Sequence, residues 1–184
     1  MVGAARRVFL ARGYVGASLE AIAEEAGFSK GVVYSQFGSK ADLFLALLEQ
    51  RINERARRNE RIASASAGAD GLREIIRAAA RNAVTQKGWT RLLVEFRALA
   101  ARDPDMNRRY AEAHARTVDH LASVLGRLLQ GAGVPPRLSP RSMAEFVLAV
   151  DSGITLERLA NPAALDEEHL TEMVPRALGL LDTR

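Results

Sequence analysis

The sequence predicts an all-α fold, with an N-terminal three-helix domain that contains a helix-turn-helix and a C-terminal helical domain, about nine helices in all. Apolar side chains recur at positions i, i+3 and i+4 along most of the chain, which is typical of amphipathic helices. No segment shows the apolar–polar alternation of a strand. Serine, glycine and proline stand where these helices are expected to begin and end.

The composition is that of a globular protein with a sizeable core, since 48% of the 184 residues are hydrophobic and 26% are charged. The chain has no cysteine and three scattered histidines, so we predict neither a metal site nor a cofactor. No apolar run approaches ~18 residues and no signal-peptide pattern opens the sequence. We therefore expect a cytoplasmic protein without a membrane partner.

Positive charge is concentrated in the first third of the chain. Residues 1–61 carry ten Lys and Arg against seven Asp and Glu. Lys30 and Lys40, two of the three lysines, flank one short predicted helix. Taken alone, this distribution fits an ordinary solvated basic surface better than a polyanionic partner, and it only adds to other evidence for such a partner.

The first three helices have clear start and stop signals. The first spans 4–14 with Gly13 at its end, the second is capped by Ser18 and stopped by Gly27, and the third spans 30–37 after Ser29. In the third helix, Val33 and Phe37 are expected to face inward. The positions left to face outward are Lys30, Gly31, Val32, Tyr34, Ser35 and Gln36.

The remaining helices follow a simple order. Ser39 caps a long helix over 40–61, and the small, polar stretch 63–71 is predicted to be a linker. Further helices are predicted over 72–86, 89–100, 103–130, 139–160 and 166–181, with a break at 131–136. Ser139 and Pro140 supply a cap and a first-turn proline. The expected domains are 1–48, which holds the helix-turn-helix at 18–37, and 49–184.

The third helix has residue types that suit a DNA major groove, where the second helix of a helix-turn-helix binds. Gly31 permits a close approach to the bases, and Lys30 can reach a guanine edge or a phosphate. Val32 suits a thymine methyl group, and Ser35 or Gln36 can hydrogen-bond to base edges. The alternative is an ordinary helical corner without a nucleic-acid partner.

Three further side chains suit phosphates. Ser18, Tyr34 and Lys40 each offer a donor, and Lys40 lies at a helix N-terminus, which favours an anion. The residues alone leave double-stranded DNA as a partner and an ordinary helical corner equally open.

The stretch 29–40 resembles a known family signature. Its sequence, SKGVVYSQFGSK followed by Asp42-Leu43, is similar to that of the TetR family of bacterial transcriptional regulators. Upstream residues that match are Phe9, Gly13-Tyr14, Ser18, Ile22-Ala23 and Ala26-Gly27. The specific resemblance covers about the first quarter of the chain, and the remainder is similar only in the number and layout of its helices.

The resemblance implies a ligand-responsive repressor. A DNA-binding domain would bind a palindromic operator, a C-terminal domain would bind a small effector that releases the DNA, and the helices over 139–160 and 166–181 would join a homodimer. By position, the implied contacts to base edges are Lys30, Gly31, Val32 and Ser35. The implied contacts to the DNA backbone are Ser18, Tyr34, Gln36 and Lys40, and Ser29 completes the predicted site.

Inward-facing aromatic residues suggest an effector pocket. The predicted set is Trp89, Leu93, Phe96, Arg97, Tyr110, His114, Phe146 and Asp151. For each aromatic residue taken by itself, core packing is the favoured interpretation over a role in the pocket. A pocket of this kind is mostly apolar with a few polar anchors, which predicts a hydrophobic or aromatic small molecule.

An enzyme is the rival class of function. Neither a nucleophile–base pair nor a metal cluster is recognisable in the sequence, so we predict a non-enzymatic protein. A helical small-molecule-binding or protein-interaction module without specific DNA binding remains the alternative to a DNA-binding regulator.

Overall fold

The computed structural model describes residues 1–133 and 138–177, and it confirms an all-α fold with nine helices and no strand in those ranges. The helices are α1 (Val2–Gly16), α2 (Leu19–Ala26), α3 (Lys30–Gln36), α4 (Lys40–Ala65), α5 (Gly68–Thr85), α6 (Lys87–Ala100), α7 (Pro104–Gly131), α8 (Pro140–Ala160) and α9 (Glu167–Ala177). The parts of the predicted break at 134–136 and of the predicted last helix at 178–181 lie outside the described residues. Within the described ranges, no helix is long and apolar enough to cross a membrane.

The linker predicted over 63–71 is wrong. Helix α4 continues to Ala65 and α5 begins at Gly68. The small residues serve close packing instead, because a Cβ atom added at Gly71 would lie 2.3 Å from the carbonyl oxygen of Ser66 and 2.5 Å from a methyl carbon of Leu128. Glycine is required at position 71, in the first turn of α5, for steric reasons. Its presence there does not indicate a flexible connection.

The chain forms two compact units. Unit 1 comprises Met1–Asn53 and Gly88–His114, and unit 2 comprises Glu54–Lys87 and Ala115–Arg184. The division falls inside α4 and inside α7, so the N-terminal part of each helix belongs to unit 1 and the C-terminal part to unit 2. Helix α6 therefore packs with the N-terminal helices although it is distant from them in sequence.

A cluster of aromatic rings lies in the core of unit 1, among aliphatic side chains. Phe9 of α1, Phe44 of α4 and Phe96 of α6 are fully buried. The ring centroids of Phe44 and Phe96 lie 4.2 Å apart, and that of Tyr14 lies 5.3 Å and 5.1 Å from them. Such stacked and edge-to-face pairs contribute beyond their buried area, so they fix α1, α4 and α6 against one another.

The interior of unit 2 is aliphatic. Its core side chains come from α5, α7 and α8, and they include Leu72, Ile75, Val118, Leu121, Val124, Leu125, Leu128, Leu129, Met143 and Leu148. The predicted start of α8 is confirmed, since the Ser139 hydroxyl accepts a hydrogen bond from the amide of Ser142 at 3.0 Å and Pro140 occupies the first helical position.

Helix α8 carries apolar residues on two faces. Phe146 was expected to face inward, but 43% of it is exposed in the chain. The inward face is formed by Met143, Ala144 and Leu148, and at 100° per residue Phe146 points away from that stripe. The inward prediction for Phe146 is therefore wrong, and the outer face of α8 is apolar at this position.

Candidate nucleic-acid interface and ligand cavity

Local capping defines the turn between α2 and α3. The Ser18 hydroxyl accepts a hydrogen bond from the amide of Ala21 at 3.2 Å, as expected for an N-cap. Gly27 ends α2 with φ of +69°, a left-handed conformation that glycine adopts without strain. The amide of Phe28 then donates to the carbonyl of Ala23 at 3.0 Å. Both predicted signals are confirmed, and they turn the chain sharply into α3.

Helix α3 is held by a single fully buried side chain, Val33. Phe37, just after the helix, is partly buried against the same core. The outward positions predicted from the sequence are all exposed: Lys30, Gly31, Val32, Tyr34, Ser35 and Gln36. One helix face is therefore anchored and the other is available to a partner.

Two polar groups of α3 already have partners within the chain. The Tyr34 hydroxyl donates to Glu20 at 2.8 Å, and this bond raises the pKa of Tyr34 and lowers the pKa of Glu20. The Ser35 hydroxyl donates to the carbonyl of Val32 at 3.0 Å. Ser29 stabilises the start of α3 through its main-chain carbonyl, which accepts a hydrogen bond from the amide of Val32 at 3.1 Å. A phosphate would have to replace Glu20 as the acceptor for Tyr34.

Lys40 uses all its donors on the main chain. Its ammonium group donates to the carbonyl oxygens of Tyr14 at 2.8 Å, Val15 at 3.2 Å and Ala17 at 2.9 Å. An ammonium group has three N–H donors, so each is occupied. Burial lowers the pKa of Lys40. The structure thus places this predicted phosphate ligand in a bond network that joins the start of α4 to the end of α1.

A kink in α1 lies next to that network. Gly13 has φ of +71°, which interrupts the helical hydrogen bonding. The freed amide of Tyr14 donates to Glu95 of α6 at 2.9 Å, and a Cβ atom at position 13 would lie 2.7 Å from the same carboxylate. Glu95 was not among the predicted site residues, and no local sequence signal indicates a partner 81 residues away.

A second long-range bond reaches the start of α4. The Ser39 hydroxyl accepts from the amide of Asp42 at 3.1 Å and donates to its carboxylate at 2.6 Å. Arg109 of α7 donates to the other carboxylate oxygen of Asp42. The Ser39 hydrogen bond, followed by Arg109, lowers the pKa of Asp42. Arg109 therefore fixes the helix that follows α3.

Most of the predicted effector residues meet in the aromatic cluster of unit 1. Trp89 lies 6.0 Å from Phe44 between ring centroids, Tyr110 lies 6.1 Å from Phe96, and His114 lies 5.9 Å from Tyr110. Two more of the set also lie here: Leu93 packs against the cluster, and the guanidinium of Arg97 lies over the Tyr110 ring. These are the contacts of a packed core, as the core-packing interpretation of the aromatic residues expects.

A separate apolar cavity lies within unit 2. It comprises about 570 Å³ of empty space, part of which is open to solvent. Its described lining residues are Leu72, Ile75, Ile76, Ala79, Ala80, Ala83, Leu121, Leu125, Val147, Val150, Asp151, Ile154, Leu170 and Val174. Of the eight predicted effector residues, Asp151 is the one in this lining. Most of the others are aromatic, whereas a cavity wall of Leu, Ile, Val and Ala has the same sequence pattern as a packed core.

Comparison with known proteins identifies the family. Residues 2–47 match the family described as bacterial regulatory proteins, tetR family, and residues 68–182 match the BetI-type transcriptional repressor C-terminal domain. The second match alone spans more than half of the chain. The chain belongs to the TetR family of bacterial transcriptional regulators, as the residues around α3 indicated. This family is a class of regulators and not of enzymes.

The individual curated relatives are HTH-type transcriptional regulators. The chain is 32% identical over 128 residues to the HTH-type transcriptional repressor AcnR of Corynebacterium diphtheriae, covering 70% of this chain and 61% of AcnR. It is 46% identical over 50 residues to the HTH-type transcriptional activator FasR of Mycolicibacterium smegmatis, covering 27% of this chain and 23% of FasR. It therefore spans less than two thirds of the length of these curated relatives.

A solved structure extends the likeness to nearly the whole chain. The transcriptional regulator FadR from Bacillus subtilis, in complex with stearoyl-CoA, is 19% identical with a TM-score of 0.66. The likeness covers 96% of this chain and 95% of FadR. At this identity it establishes a shared fold.

Proposed function

We propose that this chain is a cytoplasmic transcriptional repressor that binds a palindromic operator as a homodimer and releases it when a small hydrophobic effector binds. Residues 1–48 form the DNA-binding domain, and residues 49–184 form the effector-binding and dimerisation domain. The observation that carries the proposal is α3, which buries Val33 and exposes every other residue. The repressor AcnR, to which most of the chain is similar, supports the direction of regulation.

The exposed face of α3 supplies the proposed DNA contacts. Base edges are contacted by Lys30, Gly31, Val32 and Ser35, and the DNA backbone by Ser18, Ser29, Tyr34 and Gln36. Lys40 acts differently. Because its three donors hold the main chain around Tyr14, it positions the helices that present α3.

The proposed dimer uses the outer faces of α8 and α9, within the predicted helices 139–160 and 166–181. Phe146, Leu156 and Leu159 of α8 and Met173 of α9 are all more than a third exposed. Large apolar side chains exposed at this density favour burial against a second copy. A two-fold symmetric dimer would present two α3 helices to two half-sites, which accounts for a palindromic operator.

The proposed effector acts through continuous helices. Leu121 and Leu125 of α7 line the cavity, and Arg109 of the same helix bonds to Asp42 in α4. An effector that favours one position of α7 would shift α4 and hence the spacing of the two α3 helices. A coupling free energy of roughly 1–3 kcal/mol would change operator affinity about 5–150-fold.

Selection of bound fragments from random-sequence DNA, followed by sequencing, tests DNA binding. We expect the protein to enrich a two-fold symmetric sequence. Lys30→Ala should weaken binding to that sequence by about 1–3 kcal/mol. Arg77→Ala is the control, since Arg77 is an exposed residue of unit 2 that pairs with Glu74.

The selection also separates the rival function. If the protein enriches no sequence over the input pool, DNA recognition is contradicted and the small-molecule-binding or protein-interaction module becomes the better description. If Lys30→Ala and Arg77→Ala bind the selected DNA equally well, the assignment of α3 is wrong.

A further inference from the structure

The cavity of unit 2 has a wall of unusual uniformity. Thirteen of its fourteen described lining residues are Leu, Ile, Val or Ala, and none is aromatic. Stacking on a planar ligand and recognition of a quaternary ammonium group both use aromatic rings. The wall therefore favours a saturated hydrocarbon chain over an aromatic molecule or a choline-like cation.

A single polar group interrupts this wall. Asp151 lies on the inward stripe of α8 between Val147, Val150 and Ile154, all of which line the cavity. A charged side chain facing apolar space is costly unless it has a partner. A ligand that hydrogen-bonds to Asp151 would give the carboxylate a further partner inside the cavity.

The existing partner of Asp151 determines which head group fits. Arg55 donates to the Asp151 carboxylate at 3.4 Å, and both side chains are mostly buried. The pair is neutral in total, so Asp151 can accept a hydrogen bond from an incoming hydroxyl or amine. An incoming carboxylate has no proton to donate to Asp151, which is the member of the pair among the described lining residues, so a carboxylate head group is disfavoured.

We propose that the cavity binds a saturated aliphatic amphiphile whose head group is a hydrogen-bond donor, an alcohol or an amine, accepted by Asp151. The alkyl chain packs along α5, on Ile75, Ile76 and Ala79. This inference rests on the proposed effector function and specifies the chemical class of that effector.

Thermal unfolding of the full chain with 1-octanol, octylamine or octanoate tests the class of ligand. These probes share one alkyl chain and differ in the head group. At about 100 times its Kd, a bound ligand should raise Tm by roughly 5–10 °C. We expect 1-octanol and octylamine to bind, and octanoate to bind about tenfold more weakly or worse. Equal binding of octanoate, or no shift with any probe, would overturn the proposal.

Two variants of the polar pair test the role of Asp151. Asp151→Asn preserves shape but leaves the Arg55 guanidinium without a carboxylate, so the ratio of octanoate affinity to 1-octanol affinity should rise about tenfold. Arg55→Gln leaves the Asp151 carboxylate without its guanidinium partner, so the ratio of octylamine affinity to 1-octanol affinity should rise. Glu145→Gln is the control, because it removes a carboxylate from the same helix outside the described lining. Unchanged ratios in both Asp151→Asn and Arg55→Gln would refute the assignment.

Ratios of affinities within one variant do not depend on whether that variant is less stable. The ligand measurements contain no DNA, and the DNA selection contains no ligand. A protein that selects an operator but binds no aliphatic amphiphile refutes this inference and leaves the proposed DNA binding intact. A protein that binds 1-octanol but selects no DNA refutes the proposed repressor instead.

Discussion

A cluster of aromatic rings lies among the aliphatic side chains of the core of unit 1, whereas the described core of unit 2 is aliphatic and borders a cavity. Ring pairs at defined centroid distances, together with long-range bonds from Glu95 and Arg109, hold the helices of unit 1 in one arrangement. The cavity-lining side chains of unit 2 lack neighbours on one side, so they can repack around an occupant. The unit that presents α3 and the unit that contains the cavity are thus built around different residue types.

Matched truncations should expose this difference most strongly. Leu43→Ala in unit 1 removes a fully buried side chain and should lower the free energy of unfolding by about 4–5 kcal/mol. Leu125→Ala should cost only about 2–3 kcal/mol, because Leu125 already faces the cavity and has fewer contacts to lose. Urea denaturation monitored by circular dichroism measures both. Equal costs would contradict the contrast between the two interiors.

The bonds of Lys40 predict the next largest effect. Lys40→Met removes three donors to main-chain carbonyls and should lower the free energy of unfolding by about 1.5–3 kcal/mol. Lys30→Met removes the same charge from the exposed face of α3 and should change it by less than about 0.5 kcal/mol. Thermal denaturation of both variants provides the comparison. If Lys40→Met is as stable as Lys30→Met, Lys40 is not a positioning residue.

Acid should weaken unit 1 through Asp42. Folding lowers the pKa of the Asp42 carboxyl, so this carboxyl binds its proton more tightly in the unfolded chain than in the folded chain. The stabilisation is therefore complete above the ordinary carboxyl pKa of about 4 and is lost as pH falls through the lowered value. The difference in unfolding free energy between the wild type and Asp42→Asn should shrink as the pH falls below about 4.

Denaturation curves at several pH values measure that difference. Asp70→Asn changes an exposed carboxylate of unit 2 and serves as the control. A difference that stays constant down to acidic pH would show that the carboxylate of Asp42 does not stabilise the start of α4.

Local signals made the helix-turn-helix predictable. Ser18 and Gly27 act within a few residues of their own positions, so the sequence alone gives α2, its turn and the exposed face of α3. The partners of Glu95 and Arg109 lie 81 and 67 residues away, and no local pattern records such pairs. The presence of the cavity depends on how helices of unit 2 meet, which the periodicity of each helix does not determine.

We expect that an occupant of the cavity changes the affinity of the protein for its operator. Fluorescence anisotropy with the selected operator, measured with and without 1-octanol at a concentration that saturates the thermal shift, tests it most directly. Operator affinity should fall about 5–150-fold when the cavity is occupied. An operator affinity that is identical with and without saturating 1-octanol would contradict it.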